Sequence, residues 1–224
     1  MPQIVFHTQA DARERVEARR MSEMLALSPG ERMQQAFRLM QLAAMFKNGP
    51  LKEPQQLGVL LKRSKQDSRM DLFAEEITGF FQALNKHNVK YILVGGLAVN
   101  FYGYSRTTGD VDIWLQDSPE NRNALVNALT EFGIEGAEIF HQQPFVAGYT
   151  ELLLGNSIYI DLMANLHSLK QSAFSDCYTS AADFKLEDNC IVKVIHINQL
   201  IAEKRVTGRL KDADDADHLE AQNR

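Results

Sequence analysis

The hydrophobic pattern is most regular just after residue 71, where apolar side chains recur every three to four positions. This spacing predicts a helix with one buried face, which the polar run 85–88 ends. A short apolar run at 91–94 leads directly into Gly95 and Gly96 and predicts a buried strand that enters a tight turn. The apolar positions of the predicted helix are Phe73, Ile77, Phe80, Phe81 and Leu84.

Beyond the two glycines, short apolar runs alternate with segments of helical character. Ser118 and Pro119 provide a helix start, because serine caps a helix and proline is tolerated at its first position. Interleaved strands and helices predict a mixed α/β fold, with a mixed β-sheet flanked by helices. The predicted strands span 111–115, 157–163 and 190–195, and the predicted helices run from 119 through 132 and from about 198 to the C-terminal end.

The first 70 residues have a different pattern, which predicts helices without strands. Ser28 and Glu31 have the spacing of a capping box and predict a helix from about residue 29. The charged stretch 11–25 predicts a second helix. The apolar stripe expected on the capped helix consists of Met33, Phe37, Met40 and Met45.

A break follows these helices at Asn48, Gly49 and Pro50, and a polar connector leads toward residue 70. We therefore expect an all-helical N-terminal extension over residues 1–70 and a separate α/β domain over residues 71–224. Helices at the C-terminal end complete the second domain.

Composition places the chain among ordinary globular proteins. It has 224 residues, of which 45% are hydrophobic and 24% are charged. No apolar run approaches the ~18 residues of a membrane span, and the N-terminal residues lack the apolar stretch of a secretory signal. Cys177 and Cys190 are too few for a disulfide scaffold. We expect a cytoplasmic protein with reduced thiols and no membrane partner.

Charge is distributed unevenly. Residues 1–70 carry 12 basic and 7 acidic side chains, a balance of +5, whereas the remainder has a balance of −10. A basic helical segment suits contact with RNA phosphates. A solvated face that serves solubility or the packing of a homodimer is the commoner explanation, and both stay open.

Gly95 and Gly96 are the first candidates for chemistry. A diglycine after a buried strand lets the backbone approach a ligand closely and present N–H donors to a triphosphate. Most glycine pairs after strands are simply turns, so this signal alone is weak.

Asp110 and Asp112 form the second candidate. Strand side chains alternate between faces, so both carboxylates project the same way, with Cα atoms about 6.6 Å apart. Two unpaired carboxylates repel each other, and a divalent cation between them removes that cost. Hard oxygen ligands beside a phosphate site imply Mg²⁺ or Mn²⁺. A solvated strand end is the alternative.

Asp161 favours the metal site over the solvated strand end, because it lies within an otherwise apolar predicted strand. A lone buried carboxylate is costly unless it is paired or bound to a metal. If this strand neighbours 111–115, three aspartates converge. Such a cluster suits two-metal phosphoryl transfer.

These residues resemble the DNA polymerase β-like nucleotidyltransferases. In that family an apolar strand leads to a glycine followed by glycine or serine, then after a gap to an aspartate–apolar–aspartate strand, with a third carboxylate later. Here Gly95 and Gly96 are followed by 13 residues, then by Asp110 and Asp112, with Asp161 further on. The chain departs from many members in carrying glycine, not serine, at 96.

Two further segments are similar to the bacterial abortive-infection toxin branch of minimal nucleotidyltransferases. Arg106, Thr108 and Asp110 match its arginine–x–threonine–x–aspartate run. Lys204 and the segment 208–212 match the lysine and the glycine–arginine–x–lysine–aspartate segment of its closing helices. The combination is more specific than any single motif.

This resemblance covers roughly residues 71–220 and implies an α/β nucleotidyltransferase core. It implies that Asp110 and Asp112 bind the metals. Asp161 would be the catalytic carboxylate, either as general base or as a ligand to the second ion. The implied nucleotide-binding residues are Gly95, Gly96, Arg106, Thr108, Lys204 and Arg209, the last two at the triphosphate or pyrophosphate.

Lys204 and Arg209 also have an ordinary structural interpretation. The charged residues between 204 and 215 can satisfy one another through exposed ion pairs on a solvated helix face, and such pairs contribute little. Trp114, near the two aspartates, is predicted to lie in the core and not to stack on a base.

The first functional hypothesis is a Mg²⁺- or Mn²⁺-dependent nucleotidyltransferase that moves a nucleoside monophosphate from an NTP to a hydroxyl on a protein or RNA acceptor. Family analogy adds a toxin-like role with a cognate antitoxin-like partner. The alternative is a catalytically weak nucleotide- or partner-binding module of a two-component system. A third option, a metal-dependent glycosyltransferase using a nucleotide sugar, is disfavoured by the diglycine ahead of the aspartate pair.

Overall fold

The computed structural model describes residues 9–46, 59–62, 72–154, 158–187 and 190–223, which form one mixed β-sheet flanked by helices. In chain order the helices are α1 (Gln9–Ala26), α2 (Pro29–Phe46), α3 (Leu72–Lys86), α4 (Gly95–Phe101), α5 (Pro119–Phe132), α6 (Phe174–Ser180), α7 (Ile197–Thr207) and α8 (Leu210–Gln222). The strands are β1 (Val59–Lys62), β2 (Tyr91–Leu93), β3 (Asp110–Leu115), β4 (Thr150–Leu154), β5 (Ile158–Met163), β6 (Ala182–Glu187) and β7 (Cys190–Val194). Short 3₁₀ turns span Ala137–His141 and Gln171–Ala173.

The sheet has seven strands in the order β1-β4-β5-β3-β2-β7-β6. Strand β3 lies in the middle, parallel to β5 and antiparallel to β2. Strands β1 and β4 pair in parallel, as do β2 and β7, whereas β4–β5 and β6–β7 are antiparallel. The predicted mixed α/β class with flanking helices is confirmed.

Helix α3 forms where the helical periodicity predicted it. Ile77, Phe80, Phe81 and Leu84 are all buried in the single hydrophobic core, as the spacing requires. The side chain of Phe73 lies outside the described residues.

Strand β3 shows the alternation that the sequence predicts. Val111 and Ile113 are fully buried, whereas Asp112 is half-buried and Asp110 is exposed. Trp114 is also fully buried, and its indole N–H donates to the carbonyl of Ala164 over 2.8 Å. The prediction that Trp114 belongs to the core is confirmed.

Helix α5 also has the predicted boundaries. Ser118 caps its N-terminus by accepting a hydrogen bond from the backbone N–H of Asn121. Gly133, in the left-handed conformation at φ 94°, ends the helix at Phe132.

The N-terminal helices follow the prediction, and α2 packs into the same core as the sheet. Ser28 and Glu31 form the expected capping box, in which the Ser28 N–H donates to Glu31 Oε2 over 2.7 Å. Met33, Phe37 and Met40 are buried in the single core. The side chain of Met45 lies outside the described residues.

The expectation of an all-helical extension over residues 1–70 is wrong for β1. This strand pairs with β4 at one end of the sheet, so the segment before residue 70 contributes to the sheet itself. Arg32 of α2 donates to the carbonyl of Phe101 at the end of α4 over 2.9 Å. Tertiary pairing and packing across the expected boundary explain the difference.

Strands β4 and β6 are absent from the sequence prediction. Each pairs antiparallel with the strand that follows it, β4 with β5 and β6 with β7. The predicted strands at β3, β5 and β7 are confirmed, with β3 beginning at Asp110 instead of residue 111.

The closing segment is helical, as predicted, with α7 beginning at Ile197. Cys177 and Cys190 are both buried free thiols. In the part of the chain that the structure describes, no helix is long and apolar enough to cross a membrane.

Candidate active site

The three aspartates lie on one face of two adjacent strands. Strands β3 and β5 are parallel neighbours, and their register places Asp112 opposite Asp161 and Asp110 opposite Tyr159. Residues two apart on a strand share a face, and so do in-register partners on adjacent strands. The condition for convergence, that β5 neighbours β3, is therefore met.

Each aspartate carboxylate has a separate hydrogen-bond donor. The Thr108 hydroxyl donates to Asp110 Oδ1 over 3.0 Å. The backbone N–H of Gly148 donates to both carboxylate oxygens of Asp161, at 3.0 and 2.8 Å. Among the described residues, no three or more His, Cys, Asp or Glu side chains are grouped closely enough to hold a metal ion. Asp110 and Asp161 therefore have different hydrogen-bond donors.

Mutual repulsion and burial perturb two of these carboxylates. Burial raises the pKa of Asp112 to about 6, and the negative charge of Asp110 adds to this, against an opposing hydrogen bond from the Gly96 N–H. Burial likewise raises the pKa of Asp161 to about 7, with further contributions from Asp112 and Glu151. Charged carboxylates held this close and this deep are costly, and a hard divalent cation would relieve that cost. The oxygen-only donor set fits Mg²⁺ or Mn²⁺.

The two glycines lie so close to β3 and the segment before it that a side chain would not fit at either position. Gly95 has φ +64°, and a Cβ there would lie 1.8 Å from Asp112 Oδ2. A Cβ on Gly96 would lie 2.5 Å from the hydroxyl oxygen of Thr108. The first residues of α4 therefore place backbone N–H groups directly against the aspartates of β3.

Arg106 approaches the same turn from the segment before β3. The side chain of Asn100 brackets its backbone, donating to the Arg106 carbonyl over 3.0 Å and accepting from the Arg106 N–H over 3.1 Å. Its guanidinium binds Asp215 of α8 through two hydrogen bonds, of 2.6 and 2.9 Å. The remaining nitrogen, Nη1, donates to the carbonyl of Thr107 over 3.1 Å and lies 3.2 Å from the point where a Cβ on Gly96 would stand.

Lys204 lies in a buried ion cluster with the same aspartate. Its ammonium group contacts Asp212 Oδ1 at 2.7 Å and Asp215 Oδ2 at 2.9 Å, and all three side chains are buried. Positive charge on Lys204 and Arg106 acts to lower the pKa of Asp112. The cluster of Arg106, Lys204, Asp212 and Asp215, hereafter the ion cluster, therefore adjoins the β3 aspartates.

The alternative interpretation of the closing helices, exposed ion pairs on a solvated face, is wrong for Lys204, Asp212 and Asp215. It holds for Arg205, which pairs at the surface with Asp217 and Glu220. Packing of α7 on α8, and of α8 on the segment before β3, buries the first group and leaves the second exposed.

Arg209 stays at the edge of the candidate site. Its side chain is 63% exposed, and its Nε lies 3.9 Å from Asp212 Oδ2. The structure thus brings Gly95, Gly96, Arg106, Thr108 and Lys204 up to the aspartates and leaves Arg209 outside them.

Sequence reasoning missed Glu151. Strand β4 places it in register with Asp161, and its charge helps to raise the pKa of Asp161. The available signal was a charged residue at the start of the apolar run 152–154, but a glutamate beside a loop is unremarkable without knowledge of its neighbouring strand.

No protein-family model matches this chain, and no curated protein matches it with statistical significance.

Proposed function

We propose that this protein is a Mg²⁺- or Mn²⁺-dependent nucleotidyltransferase that moves a nucleoside monophosphate from an NTP to a hydroxyl on an RNA or protein acceptor. The observation that carries this proposal is the in-register placement of Asp112 beside Asp161, with Asp110 on the same face and Gly95 and Gly96 against it. A row of carboxylates next to backbone N–H groups suits a polyphosphate bound together with divalent cations.

The proposed reaction is an in-line displacement at the α-phosphorus. The acceptor oxygen bonds to the α-phosphorus, the bond to the bridging oxygen of the β-phosphate breaks, and pyrophosphate leaves. Asp161 has a pKa raised to about 7, so it is suited to accept the proton of the acceptor hydroxyl near neutral pH. Asp110 and Asp112 would hold the metal ions, which supply charge neutralisation at the phosphates when bound.

Lys204 and Arg106 would face the phosphates from the side of the ion cluster. An ammonium group has three donors, and Lys204 directs two of them to Asp212 and Asp215, which leaves a third for a phosphate oxygen. Nη1 of Arg106 lies beside Gly96 and donates one hydrogen to the Thr107 carbonyl, which leaves its second hydrogen for a phosphate oxygen. Arg209 at the edge suits the departing pyrophosphate.

The test is transfer of label from α-labelled NTPs into a lysate, with the full chain and its Asp112→Asn and Asp161→Asn variants. We expect each variant to lose about a hundredfold or more of the transfer rate, since positioned charge supplies most of the catalysis in this class of reaction. Asp183→Asn is the matched control, because Asp183 is exposed on β6 and pairs with Lys193. Undiminished transfer in the two site variants would contradict the proposal.

A second candidate is a catalytically weak module that binds nucleotide or a partner protein. The observation that favours it is the ion cluster, in which Arg106 and Lys204 are already bound by carboxylates. Calorimetry with NTPs, with and without Mg²⁺, separates the two candidates when it is combined with the label-transfer assay, because the module predicts NTP binding without transfer to any acceptor. A toxin-like activity with a cognate antitoxin-like partner belongs to the first candidate and is tested by growth arrest on expression, abolished by Asp112→Asn.

A further inference from the structure

Thr108 is a buried polar residue of the candidate site. It lies two residues before β3 and is only 8% exposed. Its hydroxyl oxygen is 3.0 Å from Asp110 Oδ1 and 3.4 Å from the Asp110 carbonyl oxygen. Both contacts run to the first residue of the aspartate pair.

The other side of Thr108 is pressed against Gly96. A Cβ on Gly96 would lie 2.5 Å from the Thr108 hydroxyl oxygen and 2.7 Å from the Thr108 Cβ. Rotation of the threonine side chain moves its hydroxyl but leaves its Cβ in place, so rotation does not relieve the clash. Position 96 must therefore be glycine as long as position 108 carries a side chain.

The close contact between Thr108 and Gly96 explains why this chain has glycine at 96, where many nucleotidyltransferases have serine. The space next to the backbone at 96 is filled from the opposite side by the hydroxyl-bearing side chain of Thr108. A hydroxyl is thus present at this point of the site, but it comes from the segment before β3 and is bonded to Asp110.

We propose that Thr108 is a positioning residue, wedged against Gly96, that holds the Asp110 carboxylate in the orientation required for metal binding. This inference rests on the proposed function. Asp110 is exposed and lies next to the like charge of Asp112, so without a donor its side chain would rotate toward water, away from the shared face. The hydroxyl engages one carboxylate oxygen and leaves the other to a metal ion, since each oxygen has more than one lone pair.

The test is titration of the full-length protein with Mn²⁺ in the presence of a non-hydrolysable ATP analogue, followed by electron paramagnetic resonance of free Mn²⁺. Thr108→Val keeps the shape and removes the hydroxyl, and Thr108→Ser keeps the hydroxyl and removes the methyl group. We expect Thr108→Val to raise the dissociation constant of Mn²⁺ about tenfold, the size of one hydrogen bond to a charged group. Thr108→Ser should stay within about twofold of the wild type. Thr108→Ala serves in place of Thr108→Val if the latter does not fold, as judged by circular dichroism.

Substitutions at position 96, alone and combined with a substitution at 108, test the contact between Gly96 and Thr108. Gly96→Ser alone should weaken Mn²⁺ binding at least as much as Thr108→Val, because the new Cβ displaces Thr108. Gly96→Ser combined with Thr108→Gly removes the clash and returns a hydroxyl from the other side, so it should recover part of the affinity. Two independent defects would instead add up in the double variant.

The outcomes are separable. If the wild type binds Mn²⁺ and Thr108→Val or Thr108→Ala binds it equally well, the positioning role of Thr108 is wrong and the proposed transferase stands. Equal weakening by Thr108→Ser and Thr108→Val also overturns the role, because packing and not the hydroxyl would then matter. If the wild type binds no Mn²⁺ with the nucleotide analogue, the proposed function fails and this inference fails with it.

Discussion

Asp112 and Asp161 on the strands and Asp212 and Asp215 on α8 are residues of one type in two contrasting environments. Burial would raise the pKa of Asp212, but hydrogen bonds from Lys204 and Thr207 bring it below the usual range. For Asp112 and Asp161, burial raises the pKa and neighbouring carboxylates add to the rise. The ion cluster contains its own counter-charges, whereas the strand face contains mainly like charges.

Under the proposed function, the carboxylates of the ion cluster stabilise the fold, whereas those of the strand face bind metal ions. A buried carboxylate with two cationic partners is satisfied within the fold, and it orients those partners. Adjacent carboxylates without a cation between them favour proton uptake or a bound metal ion. The two groups meet at Arg106 and Lys204, which neutralise Asp215 and also act on Asp112. Four predictions test this contrast.

The largest effect on stability is expected from breaking the ion cluster. Asp215 is fully buried and binds both Arg106 and Lys204, so Asp215→Ala would leave the buried Lys204 with Asp212 alone and the partly buried Arg106 without its carboxylate. We expect a loss of about 3–5 kcal/mol in the free energy of unfolding, measured in urea. Asp217→Ala is the matched control on the same helix, because Asp217 pairs with Arg205 at the surface. Equal effects of the two substitutions would show that burial of the ion cluster has no energetic consequence.

The second prediction concerns the strand face. Mg²⁺ that binds between the aspartates stabilises the folded state by mass action, about 2.7 kcal/mol at a hundredfold excess over its dissociation constant. For a chain of this size the melting temperature should rise by about 5–10 °C. Asp112→Asn should abolish the rise caused by Mg²⁺. Asp215→Ala should lower the melting temperature itself but keep the rise on adding Mg²⁺. A Mg²⁺ response that persists in Asp112→Asn would place the ion elsewhere.

The sequence alone predicts some of these regions better than others. Helix α5 is predictable because its cap residue Ser118 and its end residue Gly133 are local signals. The aspartates are visible from the same kind of signal, alternation within β3. Their adjacency to Asp161 is not local, because it depends on β5 being the parallel neighbour of β3, which only the folded sheet determines.

The ion cluster is harder to predict, because its residues are far apart in the sequence. Arg106 and Asp215 are 109 residues apart, and no spacing rule connects a residue before a strand with one in the middle of the last helix. The family resemblance implied that Arg106 and Lys204 bind the nucleotide, but the sequence could not show that α8 supplies their partners. Glu151 was missed for the same reason, since its significance comes from pairing with Asp161.

The third prediction uses the raised pKa of Asp161, about 7 in the folded protein. A carboxyl whose pKa is higher in the folded protein causes no loss of stability below its unfolded pKa of about 4. The loss grows between about pH 4 and pH 7 and stays constant above that. Asp161→Asn removes this cost, so without Mg²⁺ it should stabilise the protein by about 1–2 kcal/mol at pH 8 and by nothing at pH 4. Urea unfolding at both values measures the difference. A stabilisation by Asp161→Asn that is equal at both pH values would contradict the account.

The smallest effect is expected where charge pairs lie at the surface. Arg205 binds Asp217 and Glu220 on the neighbouring helix, and its side chain is 40% exposed. It directly follows Lys204, so Arg205→Ala and Lys204→Ala remove neighbouring cations from the same helix and differ mainly in burial. We expect Arg205→Ala to cost less than about 1 kcal/mol, a cost that shrinks further in high salt, since water and ions screen exposed pairs. Lys204→Ala should cost several times more and respond little to salt, because the carboxylates of Asp212 and Asp215 then lie buried without their shared cation. A similar salt response in both variants would mean that water reaches the ion cluster, and the distinction between the two groups of carboxylates would then no longer hold.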